Sequence, residues 1–163
     1  MNTRKLVLMA MFVALAVAGS AFIWFPAGIA RAYPVQHAIN VIAAVAFGPG
    51  PAVVIAMLTG LVRVLTGTGS LLAFPGGMIG ALLAGLLYQY SGRIGFAAAG
   101  EIIGTGIIAS LVAVPYARIL MGTEVGALFF MPPFLVSSIS GAILGVVLMY
   151  RLEKTKAGKL LES

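Results

Sequence analysis

From Leu6 to Tyr150 the chain carries only six charged side chains: Arg31, Arg63, Arg93, Glu101, Arg118 and Glu124. So sparse a supply of charge cannot cover a surface that faces water. A soluble domain carries roughly 25% charged residues, whereas this chain of 163 residues carries 9% and is 61% hydrophobic. It is therefore expected to be an integral membrane protein, with one membrane domain over residues 1–163. The net charge of +6 is weak support for a nucleic-acid partner, because most of it sits at the two ends, where it orients a chain in a bilayer. Membrane lipid is the expected neighbour, and no nucleic acid. The absence of cysteine excludes disulfides, thiolate zinc sites and thiol chemistry. One histidine and four acids leave little for a metal site or a hydrolase, so neither a metal nor a catalytic residue is expected.

A spanning helix needs about 20 apolar residues. The apolar runs predict helices over about 6–25, 35–47, 52–65, 75–90, 94–120 and 127–150, an all-α bundle of six transmembrane helices. The second and third runs are short, so five spans with a re-entrant pair is an open alternative. Arg4 and Lys5 precede the first run as they would in a signal peptide. That run reaches about twenty residues with no small-residue cleavage site before Trp24, so it reads as a retained helix. Gly48-Pro49-Gly50-Pro51 is expected to break the chain between the second and third helices. The tail over 151–163 is expected to be charged and soluble. Arg4, Lys5, Arg93, Arg151, Lys154, Lys156 and Lys159 fall on one side of this arrangement, and Arg31, Arg63 and Arg118 on the other. This asymmetry predicts a multi-pass protein of the cytoplasmic membrane with both termini in the cytoplasm.

Polar side chains converge in Tyr33-Pro34-Val35-Gln36-His37-Ala38-Ile39-Asn40. Pro34 suits the first turn of a helix. Gln36 and Asn40 then stand at i, i+4 and His37 and Asn40 at i, i+3, within an arc of about 100°. In the predicted topology this face opens outward. His37 is a candidate ligand contact or proton carrier, or a histidine satisfied at a helix end. Glu101 is the sole acid inside a predicted span, about 10 Å into the fifth helix at 1.5 Å per residue. A carboxyl there costs several kcal/mol unless it is paired or faces a wet cavity. Its options are an ion pair with Arg63 or Arg118, a protonated acid bonded to a backbone carbonyl, or a functional contact, with Thr105 one turn on.

Arg63 either snorkels to the headgroups or holds an anion. Thr66-Gly67-Thr68-Gly69-Ser70 has the look of a phosphate cradle but lacks the lysine and setting of a P-loop. It reads as an outer loop, a candidate lid. Trp24, Tyr33, Phe74 and Tyr116 lie near predicted outer helix ends, where aromatics anchor to the interface and one or two are candidates to stack on a flat ligand. Ser137 and Ser138 either bond their own i−4 carbonyls or line a cavity. Ala10, Ala14 and Ala18 form a strip of small residues that packs against this chain's own helices or docks another protein. No ATP-binding motif, ladder of buried acids or inverted repeat is evident. No Gly-x-Ser-x-Gly segment supports an enzyme using Ser137 or Ser138 with His37. These features point to a binding subunit that depends on others for energy.

Four segments carry a resemblance to a known family. They are Tyr33 to Asn40, Leu65 to Gly80 (reading LTGTGSLLAFPGGMIG), Gly100-Glu101-Ile102-Ile103-Gly104-Thr105-Gly106, and Pro132-Pro133-Phe134-Leu135-Val136-Ser137-Ser138. Together they resemble the substrate-binding S components of energy-coupling factor (ECF) transporters, and among them the ThiW family, over most of the chain. The resemblance implies a six-helix membrane fold and hydroxyethylthiazole, the thiazole precursor of thiamin, as substrate. It implies a transmembrane coupling protein and two ATPase subunits as partners, with ATP bound by those partners only and no cofactor here. It also implies that an Ala-x-x-x-Ala motif on the first helix meets the coupling protein; Ala10 to Ala14 matches and Ala18 extends it. Polarity and depth, rather than the family, nominate Gln36, His37, Asn40, Glu101, Thr105, Ser137, Trp24 and Tyr33 as substrate-binding residues. Another vitamin precursor such as a pyrimidine, or an autonomous transporter with Glu101 and His37 as a proton path, are the alternatives.

Overall fold

A computed structural model describes residues 3–28, 30–152 and 154. The predicted roles of Lys156, Lys159 and most of the 151–163 tail fall outside the described residues. Six helices are present among them: α1 (Thr3–Phe22), α2 (Pro34–Phe47), α3 (Pro49–Leu65), α4 (Ala73–Ser91), α5 (Ile94–Met121) and α6 (Met131–Leu152). Only α1, α5 and α6 are both long and apolar enough to cross a bilayer, while α2 and α3 are shorter apolar helices. The protein is thus a helical membrane protein.

The ends of the helices depart from expectation for identifiable reasons. The break between α2 and α3 is one residue, Gly48, at φ +82°. Pro49 and Pro51 do not end a helix; they occupy the first turn of α3, where a missing N–H costs nothing. Pro132 and Pro133 likewise fall in the first turn of α6. α1 stops at Phe22 rather than near 25, and the expected loop contains a short hairpin. Its strands β1 (Phe25–Ala27) and β2 (Ala30–Ala32) pair antiparallel with Phe25 opposite Ala32.

α2 is the central post, packing against all five other helices, with ten of its fourteen residues buried. The core around it is built largely from alanine, including Ala38, Ala43, Ala44, Ala52, Ala56, Ala81, Ala84 and Ala97. Small side chains let helix backbones approach closely, which drives association where lipid is as apolar as leucine. At Gly141 of α6 an added Cβ would fall on His37 Cβ and lie 2.6 Å from Pro34 O. α6 therefore presses directly on the first turn of α2 and fixes the polar face there. α1 stands at the rim, packed chiefly on α2 and α3. Its buried residues are Met9, Ala16 and Ser20; Ala10, Ala14 and Ala18 are exposed on a face turned away from them.

Candidate functional site

At the end of the bundle where α2, α4 and α6 begin and α3 finishes lies a cavity of about 600 Å³. That volume is within the range of small-molecule sites, roughly 300–1,000 Å³. Tyr33, Gln36 and His37 line one wall, Gly76 and Gly77 of α4 another, and Phe129, Phe130, Phe134 and Ser137 a third. Thr105 of α5 contributes from within the bundle, and Gly67, Thr68, Gly69 and Ser70 contribute from the loop before α4.

A chain of hydrogen bonds sits behind the His37 wall. His37 Nδ1 lies 2.6 Å from Glu101 Oε1. Asn40, one turn further along α2, donates from Nδ2 to Gly77 O and to Glu101 Oε1, each at 3.2 Å. The Thr105 hydroxyl is 2.8 Å from Gly76 O and 3.0 Å from Glu101 Oε1; its single proton serves one of them at a time. Glu101 is fully buried, and its Oε2 has no partner. The cost of a carboxyl at this depth is offset by these donors and by the imidazole. α5 changes character here: from Ile102 to Ala109 it winds as a wider π-helix, a form frequent at functional sites.

Arg63 organises the other side. Its Nη1 donates to Gln36 Oε1, and its guanidinium stacks on Tyr33, 3.9 Å from the ring centroid. Nη2 donates to Thr68 O at 3.1 Å, while Arg63 O accepts from the N–H groups of Thr68 and Gly69 at 2.9 and 3.0 Å. One residue thus pins the Thr66–Ser70 loop over the cavity and holds the Gln36 amide in place. Arg63 is buried, so it does not snorkel to a lipid surface.

The candidate residues separate into three groups. Tyr33, Gln36, His37, Thr105 and Ser137 line the cavity. Ser137 does not bond its own helix as an acceptor-seeking serine would; its Oγ accepts from the Tyr33 N–H at 2.8 Å, whereas Ser138 bonds Leu135 O. Asn40 and Glu101 sit behind the wall and do not line the cavity, with Asn40 Nδ2 and Glu101 Oε1 engaged in the network. The partner of Glu101 is His37, not Arg63 or Arg118. Trp24 is outside the cavity; Arg31 covers its ring at 3.9 Å, so it is not placed to stack on a ligand. Sequence reasoning missed the apolar wall of Phe129, Phe130 and Phe134. The signal was present in the aromatic run that leads into α6.

Fold and site together define a membrane protein of apolar helices built around a small-molecule cavity. Residues 6–155 match the ThiW family, described as thiamine-precursor transporter protein, and the chain belongs to that family. No curated protein and no solved structure matches the chain. The family is one of transporters rather than enzymes, which gives the cavity a small-molecule substrate and the apolar helices a membrane setting.

Proposed function

We propose that this protein is the substrate-binding S component of an ECF-type importer and that it captures hydroxyethylthiazole from outside the cell. The observation that carries this reading is the cavity that has Gln36, His37 and Tyr33 on one wall and Phe130 and Phe134 on another. A flat, uncharged heterocycle with one hydroxyl needs an apolar slot and a few fixed polar contacts, and those walls supply both. In this reading both termini are cytoplasmic, the cavity faces outward across the cytoplasmic membrane, and the Thr66–Ser70 loop with the β1–β2 hairpin forms its roof. Ala10, Ala14 and Ala18 dock the coupling protein, and their exposure on α1 supports that role. Two ATPase subunits bind ATP and supply the energy for release inward.

Titration calorimetry on the detergent-purified protein tests the cargo, with hydroxyethylthiazole and a hydroxymethylpyrimidine in parallel. Saturable binding of the thiazole and none of the pyrimidine is the expected result; the reverse replaces the cargo and keeps the class. The His37–Glu101 pair favours a second reading, an autonomous proton-coupled transporter. Uptake into liposomes holding this protein alone, driven by a pH gradient, would carry that reading and remove the need for partners.

A further inference from the structure

The Gln36 amide on the α2 wall is not free to choose what it offers a ligand. Arginine has donors only, so the Gln36 atom that meets Arg63 Nη1 is the carbonyl oxygen. The amide NH₂ must therefore point the other way; Nε2 has no protein partner, is not among the sealed polar atoms, and belongs to a residue lining the cavity. His37 stands beside it, with Nδ1 taken up by Glu101 Oε1 and Nε2 without a protein partner among the described residues. Charge points the same way: the charged side chains lining the cavity are Arg31 and Arg63, both cationic, and the Glu101 carboxyl lies behind His37.

We infer that the Gln36 amide makes this a donor wall that reads the lone pair of a ring nitrogen, so the cavity admits free thiazoles and excludes N-alkylated thiazolium ions. The inference rests on the proposed function and narrows its substrate class. Alkylating a thiazole nitrogen removes the acceptor and adds a positive charge, and both changes oppose binding beside two guanidinium groups. Replacing the ring nitrogen by CH, as in the matching thiophene, removes the acceptor alone and leaves wall donors unsatisfied.

The test is competition binding on the full-length protein with hydroxyethylthiazole, its thiophene analogue and its N-methyl thiazolium salt. The expected order is thiazole, then thiophene about ten- to a hundredfold weaker, then the thiazolium weakest. In the Gln36→Glu variant the thiazole is expected to weaken and the thiazolium to lose less than the thiazole does. If that variant does not fold, the ligand series on the unaltered protein decides alone. Thiazole and thiazolium binding equally well would overturn the donor wall and leave the proposed cargo intact. Failure of the parent thiazole to bind overturns the cargo, and this inference with it.

Discussion

Gly80 is the position where the smallest change should do most. An added Cβ there would overlap Thr105 Oγ1 and stand 2.6 Å from Glu101 Oε2 and 2.8 Å from its Cδ. Neither side chain can swing aside freely, since Thr105 is bonded to Gly76 O and Glu101 to His37. Nor can the helices easily part: a Cβ on Gly104 would itself lie 2.8 Å from Gly80 Cα, so α4 and α5 already meet backbone to backbone. Overpacking of this kind costs about 1–3 kcal/mol. Breaking one bond of the network adds about 0.6 kcal/mol in a membrane bundle, and the stiffer unfolded chain of any Gly→Ala change returns about 0.4–1 kcal/mol, for a net loss of about 0.6–3.2 kcal/mol. At about 2–4 °C per kcal/mol for a chain of this size, Gly80→Ala should melt about 1–13 °C lower. Ligand affinity should fall as well, because the displaced carboxyl no longer fixes His37. Gly95→Ala, on α5, is the control. Nothing lies within 4 Å of its added Cβ, so the gain of about 0.4–1 kcal/mol from a stiffer unfolded chain should raise the melting point slightly. Thermal unfolding in detergent and calorimetry on the same preparations read both quantities. A Gly80→Ala protein that melts with the unaltered one and binds as tightly would refute the account of the α4–α5 contact.

Other positions separate the roles assigned above. Trp24→Ala should change ligand affinity by less than about twofold in calorimetry, since the ring is 40% exposed and lies under Arg31 outside the cavity; a hundredfold loss would return it to the site. Arg63→Leu frees Thr68 O and Gln36 Oε1, so amide exchange over residues 66–70 should accelerate about tenfold, the equivalent of about 1.4 kcal/mol. Unchanged protection would mean the loop is held by its own backbone. Ala14→Phe should leave melting point and ligand affinity within about 0.5 kcal/mol, as expected at an exposed site, while abolishing co-purification with the proposed coupling protein. Retained co-purification would move the docking surface off α1.

The helices were legible because each is an apolar run bounded by Gly, Pro or charge. The start of α3 was not: Pro49 and Pro51 read as breakers, although a proline in the first turn removes only an N–H that has no partner in the helix. Strands of three residues, as in β1 and β2, are too short for alternation to register. Within the site, the helical spacing of Gln36, His37 and Asn40 placed them on one face, and the i, i+4 spacing of Glu101 and Thr105 made them neighbours. What local spacing cannot supply is the partner across the bundle. Glu101 meets His37 over 64 residues of sequence, and Arg63 meets Gln36 over 27. Trp24 shows the converse limit, since an aromatic near a helix end reads the same whether it faces lipid, a cation or a ligand.

The buried groups divide their labour by depth. Asn40, Glu101 and Thr105 satisfy one another and two carbonyls of α4, which ties α2, α4 and α5 together at a single point. Their bonds leave His37 Nε2 and the Gln36 amide nitrogen without protein partners on the cavity wall. A carboxyl at this depth is thus costly as an isolated charge and useful as a fixed acceptor, because it orients an imidazole without itself reaching the ligand. The same contacts couple binding to helix packing. A ligand that pulls on His37 also loads Glu101, and through it the α4–α5 seam at Gly80 and Gly104, where neither backbone has room to move closer. Occupancy of the cavity should therefore be felt as added rigidity along that seam, and hydrogen exchange in α4 around Gly76–Gly80 is where it should register first.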